Sequence, residues 1–104
     1  MTPQAGLAAR IRLDKWLWQA RLCKTRALAA TLVAAGRVRI NGQRTDKPGR
    51  HIGAGDVLTL VQGGQVRLLR VLAPGGRRGP APEAALLYAE VVLPQGGENQ
   101  EPLE

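Results

Sequence analysis

At 104 residues the chain has room for one domain and its tails, because a second core would leave each half too small to stabilise itself. With no Phe and only Trp16, Trp18 and Tyr88 as aromatics, the core must be aliphatic, and a lone cysteine, Cys23, excludes an internal disulfide. The net charge of +7 is unevenly placed: residues 10–50 carry eleven basic and two acidic side chains, whereas residues 79–104 carry none and five.

A basic first half with an acidic end points to a polyanionic partner for the first half. No stretch shows the apolar face with polybasic flanks of an interfacial helix, and the longest nearly apolar run, residues 27–35, is too short to span a bilayer. No leader pattern opens the chain, and nothing suggests an oxidising compartment, so the expected location is the cytoplasm, away from membranes.

Residues 1–9 read as a disordered lead. The first helix follows, with Leu13, Trp16, Leu17 and Ala20 at the three/four spacing of one buried stripe and Lys15, Trp18 and Leu22 on the far side. Asp14 stands in its opening turn, where a carboxylate suits the helix dipole. After a turn at residues 23–25, Thr25 is placed to cap a second helix whose predicted buried face is Leu28, Leu32 and Ala35 with Ala29 beside them. Gly36 should end that helix in the left-handed conformation.

Val38, Arg39 and Ile40 alternate as a strand, and Asn41-Gly42 is a strong hairpin signal that returns the chain through Gln43, Arg44 and Thr45. Turns are predicted at residues 47–49 and 53–56, with His51 solvated beside the second. Residues 57–61 and 66–72 form a second hairpin around 62–65, the spacing of Arg67 and Arg70 leaving the register of its last strand open. Residues 73–82 read as a linker, Pro82-Glu83 opens a short helix over 84–89, residues 91–93 suit helix or strand, and the chain from Pro94 onward reads as a disordered acidic tail. The predicted class is α+β: two packed helices, a small mostly antiparallel sheet and a short C-terminal helix. The corresponding division is 1–9 lead, 10–72 domain, 73–93 linker and helix, 94–104 tail.

Catalysis needs converging groups, and here they are sparse. One histidine and one thiol stand far apart in sequence, and no metal-ligand spacing, phosphate loop or dinucleotide-binding glycine pattern occurs, so neither an enzyme nor a cofactor is expected. The basic residues carry more. Lys24, Thr25 and Arg26 stand at a helix N-terminus, where free N–H groups and the dipole already attract phosphate. Arg12, Lys15, Arg21, Arg37, Arg39 and Arg44 can extend that surface, and few acids in the segment balance them. Beyond Arg26 the second helix offers only Ala, Leu, Thr and Val, which can hold phosphates but cannot read base edges in DNA. That favours folded RNA recognised by backbone and shape. Trp18 could serve as a stacking platform or as a partly buried packing residue.

Three segments carry a resemblance: R-L-D-K-W-L at 12–17, K-T-R-A at 24–27 and G-R-V-R-I-N-G-Q at 36–43. Together they resemble the RNA-binding domain of small-subunit ribosomal protein S-four, the αL motif. More narrowly, R-L-D-K-W-L-W-Q-A-R at 12–21, G-D-V-L-T-L at 55–60 and R-R-G-P-A-P-E-A-A-L-L-Y at 77–88 are similar to the heat-shock protein fifteen family. The resemblance implies binding of structured RNA, namely rRNA of the large ribosomal subunit, and an association with subunits stalled with tRNA or a nascent chain. The RNA surface it implies comprises Arg12, Lys15, Lys24, Thr25, Arg26, Arg37 and Asn41, with Asp14 orienting basic neighbours. Arg21, Arg39, Gln43 and Arg44 complete the candidate set. Members of the family continue into a longer basic C-terminal helix, where this sequence has an acidic tail. Two other readings are the targeting module of an rRNA-modifying enzyme and an adaptor for an acidic protein.

Overall fold

The computed structural model describes residues 9–91; the expectations for residues 1–8 and 92–104 lie outside them. The elements run β1 (Arg10–Arg12), α1 (Leu13–Gln19), α2 (Arg26–Ala34), β2 (Val38–Ile40), β3 (Gln43–Thr45), β4 (His51–Gly53), β5 (Val57–Gln62), β6 (Gln65–Val71), α3 (Ala81–Ala84), a single 3₁₀ turn (Ala85–Leu87) and β7 (Tyr88–Glu90). One antiparallel sheet has the order β3-β2-β5-β6-β7, and β1 and β4 form a separate antiparallel pair. The α+β class is as the sequence indicates.

Short β1 and β4 were not foreseen, and neither has enough residues to announce itself by alternation. They exist because each completes the other: Ile11 pairs with Ile52 and both turn inward, Ile52 fully buried. His51 is exposed, as expected, and it opens this strand. The loop before β4 also caps α1, since the N–H groups of Leu13 and Asp14 donate to the carbonyls of Arg50 and Pro48 at 2.8 and 3.1 Å. The N-cap residue, Arg12, offers no side-chain acceptor, and the loop satisfies donors that would otherwise be orphaned.

The first buried stripe is as expected, with Leu13, Trp16 and Leu17 at zero exposure and Ala20 beside them. The second helix differs. Its core face is Ala29 and Val33, both fully buried, while Leu28 is 54% exposed, Ala35 is exposed and Leu32 is half-buried. An alanine-rich helix offers two apolar stripes at helical spacing. The one with the smaller residue at its centre packs against α1, because Ala29 allows close approach. Thr25 does cap α2, its hydroxyl accepting from Leu28 N at 3.0 Å, and Gly36 takes φ of +77° as the helix ends.

Asn41 and Gly42 both have positive φ, +52° and +85°, which is the turn a two-residue hairpin demands. In the second hairpin Leu58 opposes Leu69 and Leu60 opposes Arg67. Arg67 therefore lies on the core side of the sheet, where Nη2 and Nε reach Glu90 Oε1 and Oε2 at 2.8 and 3.2 Å. This pairing holds the Glu90 carboxyl below its usual range and joins β6 to β7. Arg70 lies on the outer side and is exposed.

Residues 73–80 do not behave as a spacer. Trp16 Nε1 donates to Ala73 O at 2.9 Å, Gln19 Nε2 to Pro74 O at 3.0 Å, and Arg21 Nε to Gly79 O at 2.7 Å. In return Arg78 Nε donates to Trp18 O at 2.9 Å. The segment is thus strapped along α1, and it delivers Leu87 into the core and Tyr88 edge-on to Trp16 with ring centroids 6.4 Å apart. The predicted helix over 84–89 is correspondingly shorter. After Ala84 the chain tightens into the 3₁₀ turn and then extends, because Tyr88, Ala89 and Glu90 pair with Val71, Arg70 and Leu69.

Replacing Trp16 with Phe should lower stability by about 2 kcal/mol, since it leaves a partly buried carbonyl without its donor and opens a small void. For a domain of this size that corresponds to a fall in Tm on the order of 10 °C. Thermal melts followed by circular dichroism measure it, and an unchanged Tm would mean that the strap contributes nothing to α1.

Candidate nucleic-acid interface

Asp14 is the fixed point of the basic surface. Its carboxylate is only 6% exposed, yet it is well partnered: Arg12 donates from Nε and Nη2 at 3.1 and 3.0 Å, and Lys15 N donates to Oδ1 at 2.8 Å. Arg26 approaches from the start of α2, its Nε 3.8 Å from Oδ2. A carboxylate so buried needs paired charge to compensate its desolvation, and here two guanidiniums supply it. Both remain about half exposed, at 48% and 44%. Each arginine has five N–H donors in a fixed plane, so several on each still face solvent. One acid therefore orients two cations and leaves a net positive charge where they meet.

The sequence places these three residues on separate elements, and the fold brings them together. Arg12 ends β1, Asp14 lies in the first turn of α1, and Arg26 begins α2. Thr25 and Lys24 precede Arg26 on the exposed turn, and among the described residues Lys24 takes part in no ion pair. Lys15 is half-buried on α1. The free N–H groups at the start of this nine-residue helix thus lie among Lys24, Thr25 and Arg26.

A second basic group sits on the β2–β3 hairpin. Arg39 and Arg44 are directly opposite each other across the strands and both are exposed, while Val38 and Ile40 turn into the core. Like charges in one cross-strand pair cost stability unless an anion joins them. Arg44 lies against Gly36, where a Cβ would stand 2.5 Å from its Nη2, so glycine both ends α2 and clears the way for that side chain. This brings Arg44 to the residue preceding Arg37, which is itself exposed. Gln43 is exposed just beyond the turn.

Other candidates are engaged elsewhere. Both ends of the Asn41 amide are taken, Oδ1 accepting from Val57 N at 2.9 Å and Nδ2 donating to Asp56 Oδ1 at 3.1 Å, which pins the hairpin turn to β5. Arg21, at φ of +60°, turns its guanidinium to the strap at Gly79. Arg78 lies over the Trp18 ring with Cζ 5.6 Å from its centroid, so one ring face is already covered. Conversely, Lys47 and Arg50 enter the patch, because their loop caps α1 beside Arg12 and both are exposed. They belong to the basic surplus of residues 10–50, but no motif distinguishes them, and only the loop's docking on α1 places them.

The remaining chemistry is limited. Burial pushes the Cys23 thiol up, away from the reactive thiolate. Among the described residues no group of three or more His, Cys, Asp and Glu could hold a metal ion, and no helix is long and apolar enough to cross a membrane.

Comparison with known proteins agrees with this architecture. The S4 domain model matches residues 11–58, from β1 into β5. Heat shock protein 15 of Escherichia coli (strain K12) is 51% identical over 83 residues, which cover 80% of this chain. The match spans 62% of the length of that relative. The RQC P-site tRNA stabilizing factor of Listeria innocua is 38% identical over 60 residues, covering 58% of this chain and 64% of that protein. A trimeric structure of heat shock protein 15 from Vibrio cholerae superimposes with a TM-score of 0.74 at 44% identity, covering 79% of this chain and 82% of that one. With the motifs at residues 12–17, 24–27 and 36–43 inside the matched domain and the identity this high, the chain belongs to the heat shock protein 15 family and is built on its S4 domain.

Proposed function

We propose that this protein binds structured RNA by its phosphate backbone and shape, that the RNA is rRNA of the large ribosomal subunit, and that it acts in the cytoplasm on subunits stalled with tRNA or a nascent chain. The observation that carries the reading is the pair of half-exposed guanidiniums held by buried Asp14 beside the open start of α2. Fixed, outward-facing forks and free N–H groups suit the oxygens of a phosphate. A relative whose name refers to stabilising a P-site tRNA supports the ribosomal target. The absence of base-reading side chains along α2 after Arg26 argues against a DNA-reading role.

The protein should sediment with large ribosomal subunits at low salt and be released as salt rises, since each phosphate neutralised frees counterions. Binding unchanged between roughly 50 and 200 mM salt would remove the electrostatic reading. Arg26→Ala should weaken binding and flatten the slope of log affinity against log salt by about 0.7 to 0.9, whereas Arg70→Ala, on the outer sheet face, should do neither. If Arg70→Ala proves the more damaging while both variants stay folded, the RNA lies across the sheet instead.

Asp14→Ala separates geometry from charge. It raises the net charge by one and so should tighten any purely electrostatic binding. With Arg12 and Arg26 released from their fixed positions, we expect weaker binding to large subunits, measured beside a thermal melt that corrects for lost stability. Tighter binding by this variant would mean that the orientation of the guanidiniums is irrelevant.

A further inference from the structure

We propose that the open groove beside α2 receives an unpaired nucleobase of the bound RNA, with the neighbouring phosphates held by Lys24 and Arg37. The inference rests on the RNA-binding reading above and adds to it where a base is held. α2 carries two apolar stripes; Ala29 and Val33 are fully buried in the core, and Leu32 of the other stripe is only partly buried against it. The other stripe, Leu28, Thr31, Leu32 and Ala35, follows the helical spacing i, i+3, i+4, i+7 and lines a groove of about 390 Å³. Leu22 and Gln62 close its far side. At 54% exposure Leu28 leaves much of its apolar surface in water.

Three features select a nucleobase as the occupant. The groove is apolar along its length but carries a cation at each end of α2, Lys24 before it and Arg37 after it. The nine-residue helix between them is about 14 Å long at 1.5 Å per residue, and two long basic side chains flanking it suit one or two nucleotides of a single strand. Second, Gln62 donates Nε2 to Leu22 O at 3.0 Å, which leaves Oε1 as an acceptor for an exocyclic amine. Third, the groove is continuous with the proposed phosphate-binding surface, since Lys24 adjoins Thr25 and Arg26. Sequence-specific recognition of folded RNA targets unpaired bases, and here the base would lie on aliphatic side chains and the flanking guanidinium of Arg37.

The test uses the full chain and two RNA hairpins that differ only by one bulged adenosine, which is replaced by 2-aminopurine for fluorescence. The bulged hairpin should bind about tenfold more tightly, the scale of one base contact, and its fluorescence should change on binding. Thr31→Leu and Ala35→Leu each fill the groove without altering charge. Both should abolish the preference and the fluorescence change while leaving affinity for the paired hairpin and its salt slope intact, with circular dichroism confirming the fold. Salt-dependent binding of both hairpins without preference overturns the groove assignment alone, as does a preference that survives in both variants. Loss of self-association in the variants, seen by sedimentation and with the RNA preference kept, would make the groove an interface between copies and overturn the assignment. If neither hairpin binds in a salt-dependent manner, the RNA-binding reading fails, and the groove assignment with it.

Discussion

The structure depends on one buried side chain, Trp16. In a core with no Phe it is the largest residue at zero exposure, and its position in the middle of α1 makes it the contact between the N-terminal and C-terminal parts of the fold. Its ring meets Tyr88 at the start of β7, and its N–H is satisfied by the carbonyl of Ala73 at the start of the strap. Because an indole buries a large apolar area only if its N–H finds a partner, the strap is a condition of that burial. Two residues earlier on the same short helix stands Asp14, so whatever fixes Trp16 also fixes the carboxylate around which Arg12 and Arg26 gather.

Seven residues make a helix too short to hold together by its own hydrogen bonds. α1 is held from outside at both ends: the carbonyls of Pro48 and Arg50 accept its first N–H groups, and the strap accepts side-chain bonds from Gln19 and Arg21. This external support gives the basic surface a rigid base. If α1 frayed, the Asp14 carboxylate on it would no longer hold Arg12 and Arg26 in place, and fixed donors would lose their advantage over mobile ones in meeting an anion.

Electrostatics and packing are divided between the two faces of the helical pair. Toward the core, Ala29 lets α2 approach α1 closely; toward solvent the same helix keeps Leu28 and Ala35 exposed. Arg39 opposite Arg44 is a like-charge pair that costs the free protein stability, whereas exposed Lys24 is hydrated and has no ionic partner among the described residues. An anion placed between Arg39 and Arg44 would relieve their repulsion. The acidic side chains of the described C-terminal segment do not serve this purpose, because Glu83 and Glu90 pair with Arg77 and Arg67 far along the chain from these cations.

Local signals in the sequence were enough to determine the first helix stripe, the Thr25 cap, the Gly36 terminator and the Asn41-Gly42 hairpin, because each depends on neighbours within a few residues. The basic candidates were legible too, since charge surplus is a property of composition. Tertiary structure alone decided which candidates stand together. Asp14 joins Arg12 and Arg26 only because β1, α1 and α2 meet at one point, and Asn41 is spent on Asp56 and Val57 only because β5 lies beside its turn. Likewise the choice of Ala29 and Val33 over Leu28 and Ala35, the pairing of β1 with β4, and the strapping of residues 73–80 onto α1 are settled by contacts between residues distant in sequence. A helical or alternating pattern shows that a face can be buried, but the partner that buries it is supplied by the rest of the fold.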